Sequence, residues 1–544
     1  MTLCFVCKTD QSDENLALCK KLEHAVDTEN QFQVVTKKSK ENPLQKLVEF
    51  AKKQITKFVI SQADNSRVFV VVKVKNHFET IELDKKNSNA TNWLMVTASV
   101  ELHQMYSEEL CGNAISFLKA FALMDSETER EEIHLRIAYV NHEIYYDLGR
   151  SDWKFVKITS TKQTLVEYSE KIPTFIRTSK IAPQVMPNFK FDENPLNEFV
   201  KLCKIPNPEL FQVQLISMFL AGMPMPIMAI HGHAGASKST TSSMVKRIVD
   251  PAGIKNEDNL KSFPHGEDNF VTSLSSSYFS GFENISYIDL DTSNMLCRAI
   301  TGGSFEKRAQ YTNGDVFSIS LMRKILINGI DFTINHSDLA DRTNIYEVQR
   351  ILETERKADN FIEAKFHKIL PDLLGQIFLI LQRVLETVGN IEKQITNNPA
   401  RMASFGIYGE AIYQALGHKH GQFLEIIREN EKSNLQNLYD SNPIIPCMEF
   451  VLSEENETEL QANDLYKKIK DFVIQHDYNL RNIPQGSNGL FNWITKSKTL
   501  LDEHSIEVTK YTNSQSKDVS GFTPNSTIYH IKRVSSPSTN ELDL

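Results

Sequence analysis

The sequence predicts an α/β protein whose central piece is a parallel sheet with helices on both faces. Three observations predict it. Residues 226–250 read as strand, tight loop and helix: Ile227–Ile230 is a short apolar run, Gly232-His-Ala-Gly235-Ala-Ser is a turn-forming segment, and Met244, Val245, Ile248 and Val249 recur at helical spacing. Two later apolar runs, Ile285-Ser-Tyr-Ile-Asp289 and Lys324-Ile-Leu-Ile-Asn328, each end in a polar residue. Parallel strands deliver such terminal residues to one edge of the sheet, where ligands bind.

The loop at 232–240 carries the chemistry of phosphate binding. Backbone N–H groups wrap an anion, the following helix adds positive potential at its N-terminus, Lys238 reaches the β and γ phosphates, and the Ser239 hydroxyl ligates Mg²⁺. Gly232, Gly235, Ala236, Ser237, Lys238, Ser239 and Thr240 form the candidate ATP-binding segment. Ser237 stands where G-x-x-x-x-G-K-[ST] has its second glycine, and a small residue fits there if its φ is negative. An ordinary Gly/Ser turn before a surface helix is the competing reading. Lys-Ser-Thr directly after a strand-like run disfavours it.

An ATPase needs more than this loop. Asp289 is the candidate to hold Mg²⁺ through water, and Asp291 to polarise the attacking water. Such enzymes usually place the second acid directly after the first, whereas Leu290 intervenes here, so a surface loop with two acids is the alternative. The amide of Asn328 is placed to orient water against the γ phosphate. Arg342 ends the short acidic segment Asp338-Leu-Ala-Asp341 and can project to a neighbouring subunit's nucleotide, or else pair with Asp338 or Asp341.

With 544 residues, 41% of them hydrophobic, the chain can bury several cores. The net charge of -9 gives no global field for nucleic acid, so DNA binding must use local patches or a ring channel. Seven scattered cysteines argue for a reducing compartment, and Cys4-Phe-Val-Cys7 with Cys19 and His24 lacks a second pair to complete a familiar zinc site. No signal peptide or long apolar run is evident, which implies a soluble, cytoplasmic protein.

The rest of the chain follows in order. Residues 1–185 read as an N-terminal α/β domain without a catalytic motif: a helix whose pattern runs from Leu44 to Phe58, a strand at 67–74, helices near 91–124, and strands at 133–140, 143–147 and 153–158, with Asn141-His142 as a hairpin turn. His134, His142 and Asp147 are read as surface or turn residues. Prolines 173, 183, 187 and 195 mark a linker, and the core is expected over 195–390. Thr-Asn313-Gly314-Asp between two strand-like runs signals a hairpin. Residues 359–390 suggest a helix pair, 391–450 a helical region, and His418-Lys-His420 loop or cap roles. Residues 451–534 give helix, helix and a two-stranded wing, so Lys496 and Lys498 on the second helix become candidate DNA contacts. The tail 535–544 is expected to be disordered.

Gly232…Lys238-Ser239, Asp289, Thr301-Gly-Gly-Ser-Phe-Glu-Lys-Arg308-Ala-Gln-Tyr311, Lys324-Ile-Leu-Ile-Asn328-Gly and Leu339-Ala-Asp-Arg342 together resemble the AAA+ ATPase region of phage, plasmid and poxvirus-type primase-helicases, which is similar to superfamily-three helicases. The branch it resembles most has a small residue at the second loop glycine and Asp-Pro after the helix, here Asp250-Pro251. The resemblance extends upstream through Ile144–Gly149 and downstream through Pro399–Phe405. It implies an AAA+ core followed by a winged-helix-like domain, with ATP and Mg²⁺ as cofactors. It assigns phosphate and Mg²⁺ to Lys238 and Ser239, Mg²⁺ to Asp289, the sensor role to Asn328 and the finger in trans to Arg342. Lys307, Arg308 and Tyr311 fall on a DNA-tracking hairpin. The implied protein is an ATP-dependent DNA helicase or translocase, a homo-oligomeric ring such as a hexamer, acting on single-stranded or forked DNA in replication of a mobile element beside a separate primase or initiator. The alternatives are an ATPase switch that remodels a nucleoprotein without unwinding, as in defence or partition, and a nucleotide-binding scaffold without turnover.

Overall fold

The computed structural model describes residues 42–169, 171–232, 235–253, 260–308, 316–329, 334, 336–348, 359–441, 443–476, 478 and 480–534. Cys4, Cys7, Cys19, His24, Tyr311, the Asn313-Gly314 turn and the tail from 535 lie outside them. The chain divides into two compact units, residues 1–53 with 85–118, and residues 54–84 with 119–544.

In the first unit, α1 (Pro43–Gln54) buries Leu47, Val48, Phe50 and Ala51, and α2 (Ser88–Glu101) is capped by the Asn87 side chain, which accepts from Asn89 N. The long helix α3 (Glu108–Met124) crosses into the second unit. The expected continuation of α1 to Phe58 does not occur. Ile55-Thr-Lys-Phe-Val-Ile is rich in β-branched residues and pairs as a strand instead.

The second unit holds several sheets. β1 (Ile55–Ser61), β2 (Val68–Val74), β3 (His77–Glu82) and β4 (Glu129–Glu131) lie in the order β3-β2-β1-β4. β5 (Ile137–Val140), β6 (Glu143–Asp147), β7 (Lys154–Ile158) and β8 (Gln163–Glu167) form an antiparallel meander. Its first turn is Asn141-His142, both at positive φ (53° and 59°), as a two-residue hairpin requires. Asp147 is not a surface residue: it is fully buried, and both of its carboxylate oxygens accept from Arg177.

After α4 (Pro195–Cys203) and α5 (Pro208–Ser217) comes the parallel sheet. Its strands are β9 (Ile227–His231), β10 (Lys261–Ser262), β11 (Phe279–Glu283), β14 (Lys324–Gly329) and β15 (Thr343–Glu347), in the order β10-β11-β14-β9-β15. Every pairing is parallel. Ile227 to Ile230 are completely buried, as expected for a central strand covered on both faces. The crossovers are α6 (Lys238–Val249), α7 (Glu267–Ser275), α8 (Leu290–Thr301) and α9 (Ser337–Ala340). The hairpin β12 (Ser304–Arg308) and β13 (Val316–Ser320) stands between α8 and β14.

Residues 359–390 are not a helix pair. One 36-residue helix, α10 (Asp359–Gln394), runs through Pro371. Asn188 N donates to the Pro371 carbonyl at 2.9 Å, and the chain passes so close that a Cβ on Gly375 would sit 1.7 Å from Asn188 O. α11 (Ala403–Ala415) and α12 (Gln422–Ser441) complete the helical layer. One apolar core runs from Leu135–Ile158 through the parallel sheet to α12, so the proline-marked segment does not interrupt it.

A separate core joins α13 (Ile444–Val451), β16 (Glu457–Gln461), α14 (Ala462–Gln475), α15 (Leu490–Lys496), α16 (Lys498–Glu503), β17 (Ile506–Thr512) and β18 (Thr527–Arg533). Its sheet is three-stranded, in the order β16-β18-β17. Among the described residues no helix is long and apolar enough to cross a membrane.

At the end of α6, the Asp250 carboxylate accepts from Arg136 Nε (3.0 Å) and from Tyr278 N and Phe279 N (3.1 Å each), and pairs with Lys246 Nζ (3.1 Å). Burial alone would raise this carboxyl. Lys246 and Arg136 outweigh it and hold the group below the ordinary range. Removing the charge leaves two buried cations without an anion, so Asp250→Asn is expected to cost about 3–5 kcal/mol, read as a lower urea midpoint at unchanged slope.

Lys324 opens β14 with 4% exposure, and its Nζ has only the Met223 carbonyl (2.7 Å) as partner among the described residues. Burial lowers its pKa to about 7. Because the unfolded chain binds the proton more tightly, stability contributed here rises with pH between about 7 and 10.5. Lys324→Met is expected to raise the midpoint and flatten that dependence.

Candidate nucleotide site

The ends of three neighbouring parallel strands build the site. Phe282 pairs with Ile327, and Asn328 with Ile230, so Glu283 and Asn328 arrive level at the C-terminal edge of the sheet, with His231 one residue further on, opposite Gly329. The phosphate-loop segment leaves from the middle strand of the three elements β14, β9 and β15, which is where open parallel sheets bind ligands.

Gly232 begins the loop at φ 144°, and a Cβ there would meet the Val348 carbonyl at 2.3 Å. The close approach follows from β15 pairing with β9 and continuing through Val348 N to His231 O at 2.8 Å. Lys238 is the first residue of α6, and its Nζ donates to Gly232 O at 2.5 Å across the loop. Ser239 is exposed and Thr240 half-buried on the first turn, while Gly235 is exposed and Ala236 buried. The expected negative φ at Ser237 is not observed: it takes φ 57° and ψ 27°, the left-handed region. That conformation costs an L-residue roughly 1–2 kcal/mol, so the loop carries local strain at the motif's glycine position.

The largest correction concerns the acids. The run Ile285–Asp291 is not a strand; β11 is Phe279-Ser-Gly-Phe-Glu283. Asp289 lies six residues past the strand end and is the N-cap of α8, its Oδ1 accepting from Thr292 N at 2.8 Å. That bond is the main reason its pKa is lowered. Asp291 is exposed on the first turn of the same helix. Ile285 and Ile288 are buried as anchors of the connecting loop, which is why they mimic a strand in the sequence. Glu283 occupies the position expected of Asp289. The available signal was its place at the end of a five-residue run of small and aromatic residues.

Asn328 is 1% exposed. Its Oδ1 accepts from Asn284 N at 3.2 Å and its backbone carbonyl from Ile285 N at 3.0 Å, so the loop after β11 is sewn to the end of β14. Its Nδ2 is buried and has no hydrogen-bond partner among the described residues. A buried amide left unmatched beside the glycine-rich loop fits an anionic or water ligand that accepts from it.

Beside the loop lies a cavity of about 460 Å³ lined by Lys201, Cys203 and Lys204 at the end of α4, Ser237, Thr240, Thr241 and Met244, Val348, and Phe361, Ile362 and Lys365 of α10. Its apolar walls with lysines at several points suit a nucleobase and sugar next to the phosphates. Burial pushes the Cys203 thiol well up, so it is an inert wall.

Arg342 does not project freely. Its Nη1 donates to the Asp338 carbonyl at 2.7 Å and pairs with the Asp338 carboxylate within one chain. Lys307 and Arg308 lie on β12. Lys496 ends α15 and Lys498 begins α16; the expected single helix breaks at Ser497. Lys496 is near enough to His336 to help burial lower that imidazole's pKa. His418 stacks on Tyr413 at 4.0 Å, a packing role.

Ser237→Gly is expected to keep nucleotide binding and raise stability by up to about 1 kcal/mol, the relief of strain less glycine's greater unfolded-state entropy. Thermal unfolding checks the stability, and binding of a fluorescent ATP analogue checks the retention: Ser237→Gly is expected to keep it and Gly232→Ala, with its clash on Val348, to lose it.

Residues 197–419 match the family described as actinomycete integrative conjugative element replication protein. No curated protein matches the sequence. Among solved structures, the chain is similar to an active helicase, Cch of SCCmec type IV, at 12% identity over 88% of this chain and 93% of that one, with a TM-score of 0.41. It is similar to the NrS-1 C-terminal region at 12% identity, 90% and 99% coverage and a TM-score of 0.36. For the JCV helicase the identity is 10%, the coverage 44% and 65%, and the TM-score 0.23.

Proposed function

We propose that the protein is an ATP-dependent DNA translocase or helicase of mobile-element replication, with an AAA+ core over 195–390 and a winged-helix-like domain over 451–534. The observation that carries the reading is the convergence of the phosphate loop, Glu283 and the unmatched Asn328 amide on adjacent strand ends. The match of 197–419 to a replication-protein family supports the biological setting. The order α13-β16-α14-α15-α16-β17-β18 supports the winged-helix reading.

The donor set fits ATP and Mg²⁺. Lys238 and the backbone of Gly235–Thr240 would hold phosphates, and Ser239 would hold the ion, with Glu283 reaching it through water. Mg²⁺ supplies charge neutralisation on the phosphates. Glu283 accepts from the attacking water, and Asn328 Nδ2 orients it by donating to water or the γ phosphate. Glu283 replaces Asp289 and Asp291 in these roles, since the latter two sit on a helix start beyond the strand. Arg342 is the finger in trans once it exchanges Asp338 for a neighbour's γ phosphate. A ring of subunits, six by analogy with such motors, places β12–β13 with Lys307 and Arg308 in the channel, and a separate primase or initiator supplies primers.

The test is the ATPase rate with and without single-stranded DNA, with mass measured in the same buffer. Stimulation by DNA from a ring-sized species is expected, with loss in Lys238→Ala and a fall of at least about 100-fold in Glu283→Gln. Asp289→Ala is expected to keep its rate and lose about 1 kcal/mol of stability as a cap. If instead Asp289→Ala is dead and Glu283→Gln active, the assignment of the acid is wrong. Mixing Arg342→Ala with Lys238→Ala subunits is expected to restore part of the activity. DNA stimulation without strand separation would favour a remodelling switch.

A further inference from the structure

A second cavity, of about 920 Å³, lies at the root of the β12–β13 hairpin, away from the nucleotide edge. Its wall includes Gln62 and Asp64 from the β1–β2 connection, Glu132, Tyr278 and Arg323. Arg323 is its distinctive group. Among the described residues the guanidinium donates only to backbone carbonyls, Nε to Leu274 O and Nη1 to Met322 O, both at 3.0 Å. Among the described residues no carboxylate lies within 4 Å of it; the nearby Glu132 side chain is 62% exposed and turned to His134 Nδ1 at 3.9 Å. Burial lowers its pKa, yet a guanidinium stays charged. A cation that cannot neutralise, lines a cavity and has no carboxylate paired with it among the described residues, only the more distant charges of Glu132 and Asp250, is an arrangement that an anionic ligand completes.

Position decides which anion. Arg323 lies three residues past the hairpin and directly precedes β14. Its N–H donates to Ala299 O at 2.9 Å, and Leu321 N closes on Gly303 O at 3.4 Å, so the hairpin root is tied to the end of α8. Five residues on, about 17 Å along an extended strand, the same β14 carries Asn328 one residue before its end. We propose that this cavity takes a phosphodiester of single-stranded DNA against Arg323, making it the group through which DNA at the hairpin root bears on the sensor strand. The proposal rests on the motor reading above. The cavity is large enough for a nucleotide unit, and Gln62 and Tyr278 on its wall offer polar and ring surface for the sugar and base.

The test is binding of fluorescein-labelled dT20 to the full chain with a non-hydrolysable ATP analogue, titrated with salt. Arg323→Gln is expected to weaken binding about tenfold and to reduce the salt slope by about 0.7, the value for one phosphate on a single strand. Arg323→Lys is expected to keep the slope. Because Arg323 also holds Leu274, thermal melting accompanies each variant, and the exposed Glu132→Gln, which removes a competing carboxylate without touching the fold, is expected to tighten binding several-fold. Unchanged affinity and slope in Arg323→Gln, or no change in Glu132→Gln, overturns the site while leaving the motor reading intact if DNA still stimulates the wild type. A wild type that hydrolyses ATP but never binds dT20 removes both. If inorganic phosphate protects Arg323 from phenylglyoxal as well as dT20 does, the cavity is a small-anion site and the proposal fails.

Discussion

The buried carboxylate of Asp250 is the constraint on which the arrangement of the nucleotide edge depends. It sits at the last turn of α6, so whatever fixes it fixes the helix that begins with Lys238. Its two oxygens reach Arg136, fully buried ahead of β5, and the backbone of Tyr278 and Phe279 where β11 begins. Arg136 in turn donates to the carbonyls of Asp147, Ala182 and Pro251. One anion therefore sets α6 against both the upstream meander and the strand that ends in Glu283. Ion pairs this deep are weak sources of net stability but hold their partners to one geometry, since any shift strands a charge in the interior.

From that frame the edge residues follow by register. Parallel pairing brings strand ends level, so Glu283, Asn328 and the end of β9 that leads into the loop, from distant parts of the sequence, come to one edge. Asn284, at φ 58°, turns the chain immediately after Glu283, and its N–H closes onto Asn328. Ser237 in the left-handed region adds local strain at the loop's exit. Backbone strain of this sort is held in place by the surrounding contacts and is typical of ligand-gripping turns. Together these features form an edge whose polar groups are oriented but, at Asn328 Nδ2, not fully matched.

Much of this was legible in the residue order because the signals were local. A fully apolar run before a glycine-rich turn reads as β9 and its loop, Asn141-His142 reads as a two-residue hairpin, and Lys324–Asn328 reads as a buried strand. The helix-like pattern from Leu44 to Phe58 misled because an apolar helix face and a following β-rich run share hydrophobic positions, and only pairing with β2 ends the helix at Gln54. Ile285–Asp289 misled for a related reason. Two isoleucines that anchor a loop looked like a strand, while the true strand was disguised by Ser280 and Gly281.

What the sequence determined by itself was the strand, loop and helix over 227–249, the class of sheet around them and the place of Asn328 near a strand end, because each depends on neighbours within about ten positions. Tertiary structure alone decided that Glu283, not Asp289, stands at the strand end, that Asp250 joins three elements, and that half-buried Arg323 lines a cavity without a directly paired carboxylate among the described residues. Those facts depend on which strands lie side by side and which charges the fold removes from water, and no local pattern encodes either.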